Sequence, residues 1–164
     1  MSQIYPGEGF AQALKQRNES MKTIRQLLEG KGHDIVSATP STSVYEALEL
    51  MAENNIGALL VLEADNLVGI FSERDYARKV VLKGKSSRGT VLGETMSKKL
   101  ECIRPDQTIE QCMALMTDKR IRHLPVLEDD QLVGVISIGD VVKAVISEQE
   151  FLIEQLENYI TGSR

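Results

Sequence analysis

Two carboxylates sit where they could do chemistry: Asp75 follows Ser72 by three residues, and Asp140 follows Ser137 by three. A carboxylate accepts hydrogen bonds side by side, an arrangement that the adjacent hydroxyls of a sugar can meet. In the first turn of a helix an Asp is held ionised and fixed by the local dipole and N–H groups. The serine hydroxyl beside it, with nearby free N–H groups, can face a phosphate. Ser-x-x-Asp is also the spacing of a plain capping box, in which hydroxyl and carboxylate satisfy each other's backbone N–H. Both readings can hold at once.

Other chemistry is sparse. The chain has no P-loop, no dinucleotide-fold GxGxxG, no HExxH and no nucleophile elbow. His33 and His123 are its only histidines, and no nucleophile–base pair is in view. Neither a catalytic residue nor a metal ligand is therefore expected. Cys102 and Cys112 fit no zinc or redox spacing and read as reduced core thiols, which points to a cytosolic compartment.

The elements that hold the two Ser–Asp pairs emerge from a repeat. Sliding the chain along itself from Asp75 to Asp140 lays residues 39–81 over 104–146 without a gap, with about 15 of 43 positions identical. Leu67-Val68-Gly69-Ile70-Phe71-Ser72 lies over Leu132-Val133-Gly134-Val135-Ile136-Ser137. In each copy a hydroxyl residue opens a helical pattern. Ser43 with Glu46, and Thr108 with Gln111, have capping-box spacing. Val44, Ala47, Leu48 and Met51, like Ile109, Cys112, Met113 and Met116, then recur at helical intervals. Two short apolar strands follow, 58–62 and 67–71 or 124–127 and 132–136, joined by an acidic turn as in a hairpin. A second helix starts near Ser72 or Ser137. A short leading strand is expected at 34–37 and at 100–103. Each unit is strand, helix, strand, strand, helix.

The expected division is an N-terminal extension over 1–20 with a helix from Phe10 onward, a first unit over 21–82, a polar linker over 83–89, a second unit over 90–147 and a C-terminal helix over 148–164. One unit cannot bury both faces of its small sheet, so the two should pack sheet to sheet into one body. Phe151, Leu152, Leu156, Tyr159 and Ile160 share a stripe on the last helix, which either covers the core or meets a second copy.

With 42% apolar and 26% charged residues and no Trp, the chain has the composition of an ordinary globular protein with an aliphatic core. A net charge of -5 argues against a duplex nucleic-acid partner. No run of 18 apolar residues suggests a membrane span, and Met1 to Gly7 shows no secretory pattern.

The doubled string Gly-h-h-Ser-x-x-Asp (h apolar), Gly69 to Asp75 and Gly134 to Asp140, closes the same hairpin in both copies. On these residues the chain, over about 21–150, resembles a CBS-domain pair (named for cystathionine β-synthase), of the kind that stands alone as a signalling protein. The resemblance implies an α/β (α+β) fold, a tandem CBS-domain repeat with two small sheets packed together and helices outside. It also implies a cleft for AMP, ADP, ATP, NAD or S-adenosylmethionine-type ligands, and two modules stacked as a dimer. By it, Asp75 and Asp140 take the ribose, and Ser72 and Ser137 face phosphate. Arg122 and His123 line the cleft toward phosphate, for which the guanidinium fork is well suited. Arg74 could reach phosphate or solvent. Thr39 and Arg104 end the first strands where family ligands meet backbone and hydroxyls. Gly57 and Ala58 stand in the first copy where Arg122 and His123 stand in the second, so the two sites should be unequal. Ile35, Ile56, Ile103 and Ile121 could grip adenine or fill the core. Arg104 and Gly139 depart from the family's usual hydroxyl and polar residues.

The function expected is a non-catalytic regulatory sensor of adenine nucleotide (AMP, ATP or NAD), without a catalytic cofactor. It would be cytoplasmic, homodimeric and would act on a partner protein. The competing classes are an interaction scaffold with an empty cleft and a nucleotide-processing enzyme.

Overall fold

The structure, a computed structural model, describes residues 22–162. The extension over 1–20 and its expected helix lie outside the described residues. The elements are α1 (Ile24–Lys31), β1 (Ser37–Ala38), α2 (Val44–Glu53), β2 (Ala58–Glu63), β3 (Asn66–Ser72) and α3 (Glu73–Asp75), which continues as a π-helical turn, Tyr76–Val81. Then come α4 (Leu92–Thr95), α5 (Ile109–Lys119), β4 (His123–Glu128), β5 (Gln131–Ser137) and α6 (Ile138–Thr161).

Both expected capping boxes form. Glu46 N–H donates to Ser43 Oγ and Ser43 N–H to Glu46 Oε2, each at 3.1 Å. Gln111 N–H donates to Thr108 Oγ1 at 3.2 Å and Thr108 N–H to Gln111 Oε1 at 3.0 Å. Each hairpin closes on two residues of positive φ, Ala64 and Asp65 or Asp129 and Asp130. That is the turn whose twist suits antiparallel strands. The same break in register follows Val61 and Val126. The repeat thus reaches down to single irregularities.

The leading strands are shorter than the sequence suggests. β1 pairs in parallel with β2 only at Ser37↔Leu60 and Ala38↔Val61. In the second copy a single bridge, Ile103↔Val126, stands in the corresponding register. Pro40 and Pro105 follow two residues later and, lacking an N–H, end the pairing on that side.

The cores cross the chain order. Ile24, Leu27 and Leu28 of α1 pack with Ile103, Ile109, Cys112, Leu124, Ile136 and Val141 of the second copy. Leu92 of α4, with Met96 beside it, packs with Val44, Leu59, Phe71 and Val80 of the first. Backbone hydrogen bonds fix both exchanges alike: Ile24 N–H to Gln107 O and Arg25 N–H to Pro105 O, against Leu92 N–H to Thr42 O and Gly93 N–H to Pro40 O, all at 2.9 Å. Each half therefore receives the helix that leads into the other.

This exchange explains the motif glycines. A Cβ on Gly134 would lie 2.7 Å from Leu28 Cδ2, and one on Gly69 2.4 Å from Met96 Sδ. Side chains from the crossing segments fill the space beside both glycines.

The two motif helices end differently. α3 widens into its π-helical turn, with Leu82 N–H donating to Ala77 O at 3.0 Å, and stops. α6 continues for 24 residues, and every residue from Gln149 to Thr161 is exposed. The expectation that this stretch covers the core is thereby corrected: only the first part of α6 turns residues inward, Val141 and Ala144. Among the described residues the apolar positions beyond are exposed.

Candidate functional site

Hairpin register brings most of the expected residues together. Ala58 lies opposite Ser72, and His123 opposite Ser137. The first N–H of each motif helix is tied back to the residue before the strand, Glu73 N–H to Gly57 O at 3.1 Å and Ile138 N–H to Arg122 O at 2.8 Å. The third N–H goes to the serine hydroxyl, from Asp75 or Asp140, at 3.2 Å in both. Two of the donors that could have faced a phosphate are thus already engaged.

The two carboxylates differ. Asp75 is buried, 7% exposed. Its Oδ2 accepts from Ser72 N–H at 2.9 Å and Ser72 Oγ at 3.0 Å. Its Oδ1 accepts from Ser97 Oγ at 3.0 Å and lies 2.8 Å from Lys79 Nζ. A carboxylate has about four acceptor positions, and these four contacts use them. Asp140 instead concentrates its contacts on Oδ2: Ser137 N–H at 2.8 Å, Ser137 Oγ at 2.9 Å and Lys31 Nζ at 2.6 Å. Among the described residues nothing bonds to its Oδ1. Burial pushes the Asp140 carboxyl up. The hydrogen bond from Lys31, the Ser137 N–H and the Lys31 charge together outweigh burial and leave it below its ordinary value.

Lys31 also donates to Val135 O at 2.6 Å. In the first copy the corresponding carbonyl, Ile70 O, accepts from Ser97 N–H at 2.8 Å. The crossing segment of the other half therefore touches both the motif strand and the motif carboxylate in each copy, by a lysine in one and a serine in the other. Lys31 and Ser97 escape sequence reasoning because only the exchange places them here. Lys79 was within reach of it, four residues beyond Asp75, a spacing that pairs opposite charges on a helix.

At the seam between the halves His123 lies against Gly57 and Glu73: a Cβ on Gly57 would sit 3.5 Å from His123 Cε1 and 3.7 Å from Glu73 Oε2. Burial lowers the His123 pKa first and the Lys31 charge adds to that; Asp140 and Glu73 oppose it without reversing it. The ring is therefore neutral at pH 7.

A cavity of about 260 Å³ opens beside this cluster, lined by Arg74, Met116, Thr117, Arg120, Ile121, Arg122 and Ile138. Arg74 comes from the first half and the rest from the second. Arg74 Nη1 donates to Arg120 O at 2.8 Å across the seam. Arg120 itself is left-handed, φ 53°, where α5 ends. A second cavity, about 210 Å³, lies between Arg25, Leu28, His33, Pro105, Glu128 and Val133.

Of the remaining expected residues Ile121 lines the cavity, and the others do not join the cluster. Thr39 is exposed, and its hydroxyl bonds within its own turn, to Ser41 Oγ at 3.0 Å. Arg104 pairs with Asp106 at 3.1 Å. Ile56 packs on the first core and Ile121 on the second. Ile103 is fully inside the second core.

Comparison with known proteins places these features in a lineage. Residues 31–82 and 92–147 each match the CBS domain family. The chain is 40% identical over 149 residues to the Arabidopsis thaliana protein named CBS domain-containing protein CBSX3, mitochondrial, covering 85% of this chain and 72% of that one. The crystal structure of a CBS-domain containing protein from Agrobacterium tumefaciens is 40% identical with a TM-score of 0.72, covering 75% of this chain and 98% of that one. The CBS domain pair of the protein MJ0100, solved with 5′-methylthioadenosine and S-adenosyl-L-methionine, is 21% identical with a TM-score of 0.69, covering 78% and 98%. That last likeness is one of fold.

Proposed function

This chain belongs to the CBS-domain family, and from that premise we propose that it is a non-catalytic regulatory module that binds an adenine nucleotide of the AMP, ATP or NAD type at the seam between its halves. The observation that carries the reading is the meeting of three arginines, Arg74, Arg120 and Arg122, around one cavity next to the start of α6. Guanidinium groups from both halves suit a phosphate, and a ligand held there touches both halves at once. Asp140, with Oδ1 open, is the carboxylate for the sugar, Ser137 lies beside it, and His123 flanks the phosphate. The first-copy set, Ser72 and Asp75 with Gly57 and Ala58, is the weaker site, because Asp75 has no acceptor position to spare. The MJ0100 pair, of the same fold and solved with 5′-methylthioadenosine and S-adenosyl-L-methionine, supports the reading.

Binding shifts a conformational or assembly equilibrium by differential affinity and so modulates a partner protein. The active form in this reading is a homodimer in the cytoplasm. Among the described residues no helix is long and apolar enough to cross a membrane.

One observation favours a second reading, a scaffold with an empty cleft: both motif carboxylates already hold a lysine. Calorimetry with AMP, ATP, NAD and S-adenosylmethionine on the wild type, Asp140→Ala and Arg122→Ala separates the two. Binding by the wild type that both substitutions weaken supports the nucleotide module. No heat with any of the four supports the scaffold, and consumption of nucleotide during the titration would overturn the non-catalytic assignment.

A further inference from the structure

The last 14 residues of α6, 148–161, lie beyond the end of the repeat, and α3 has no such extension. Their apolar side chains are unusually bare: Ile153 is 54% exposed, Leu156 60% and Ile160 79%. Together with Val142, Ile146 and Gln149 these positions alternate at intervals of four and three residues, the spacing by which one helix seats on another. Leu152 and Tyr159 widen the stripe on one flank, with Val145, half-buried against the second core, at their inner end. Lys143, Glu150 and Glu157 line the other.

The charges select both the occupant and its direction. Lys143 is the only basic residue on α6, at its inner end, and Glu157 lies near its tip. Against a parallel copy, Glu150 and Glu157 would face Val145 and Leu152. Against an antiparallel copy, Lys143 faces Glu157 twice, Leu152 faces its twin and Val145 faces Tyr159. Only Glu150 then meets a like charge, its own twin at the axis. This is the self-complementary pattern of a two-fold contact. We propose that α6 is the surface through which two copies of this chain pair, antiparallel, with Ile146 seated against Leu156, Ile153 against Gln149 and Ile160 against Val142 of the second copy. The proposal rests on the homodimer part of the reading above and not on the nucleotide.

Sedimentation equilibrium of the full chain tests it. The wild type sediments as a dimer. Ile153→Asp weakens it about tenfold or more, as loss of a central apolar anchor does. Lys143→Glu weakens it less, and adding Glu157→Lys to Lys143→Glu restores it. Glu150→Gln tightens it. With Cys102→Ser, Leu152→Cys gives a disulfide-linked dimer on oxidation. The α6 positions are all exposed and Cys102→Ser is a near-isosteric change at a half-buried site, so the variants fold. A dimer indifferent to Ile153→Asp keeps the homodimer and overturns the α6 contact. A wild-type monomer overturns both, and a monomer destabilised by Ile153→Asp assigns the stripe to a cover from residues 1–21 of the same chain.

Discussion

Lys31 Nζ sits 2.6 Å from Asp140 Oδ2, although 109 positions separate the two residues in the chain. The lysine comes from the helix that leads into the first half, and the aspartate caps the last helix of the second. Ser97 stands to Asp75 in the same relation, 22 positions away. A ligand that takes Asp75 must therefore compete with Ser97, and one that takes Asp140 at its open Oδ1 sits beside Lys31, so binding at either is felt across the seam.

The two aspartates should fail in opposite ways. Asp75→Ala leaves Ser72, Ser97 and Lys79 without their shared acceptor in a buried place. It should cost about 2–3 kcal/mol of stability by urea unfolding while weakening nucleotide binding little. Asp140→Ala should cost about 1 kcal/mol or less, yet abolish the calorimetric signal. Equal effects of the two on binding would contradict the single-site assignment.

Gly134→Ala should destabilise the protein by about 1–3 kcal/mol through overpacking against Leu28. Leu28→Ala should restore part of that loss in the double variant, although alone it costs about 2–5 kcal/mol. A double-mutant cycle with no coupling would mean that α1 does not lie against β5.

Arg122→Ala and Arg74→Ala should each weaken binding of a phosphorylated ligand by about ten- to a hundredfold, and the unphosphorylated nucleoside much less. The test is a pair of titrations, AMP against adenosine. Equal losses for both would place the arginines away from phosphate.

Acidification should expose His123. Its folded-state pKa lies below its ordinary value, about 6.5, so below that pH the unfolded chain binds the proton more readily. Stability is therefore complete above the ordinary value and falls as pH drops through it toward the depressed folded value. Melting temperatures between pH 7.5 and 5.5 should decline in the wild type and flatten in His123→Gln. A decline that persists unchanged in the variant would assign it to other groups.

The two thiols should separate cleanly in alkylation. Burial, with a further contribution from the Asp140 charge, pushes the Cys112 thiol up to about 11, and its side chain has no exposure. Cys102 is half-buried. At pH 8 the native protein should be labelled at Cys102 alone, with Cys112 reacting only in denaturant.

The repeat made the strands, hairpins and helix starts legible, because period and capping chemistry are local. Ser72, Ser137 and both aspartates could be named for the same reason, and the structure uses all four as capping boxes. The leading strands were overread: 34–36 and 100–102 have strand-like residues, but pairing is decided by the neighbour, and β2 and β4 accept only the last positions. Lys31 and Ser97 were out of reach, since nothing near them in sequence says that α1 and α4 change places. The reach of α6 was readable as a stripe. Its bareness was not, because a stripe looks the same whether its cover is the same chain or another.

The reciprocal placement of α1 and α4 has an evolutionary corollary. A lone ancestral unit with this architecture could complete its interior only by swapping its first helix with a twin, so an intertwined pair of short polypeptides must have preceded the joined gene. Splitting the present gene at the linker should yield two pieces that fold poorly apart and recover when mixed.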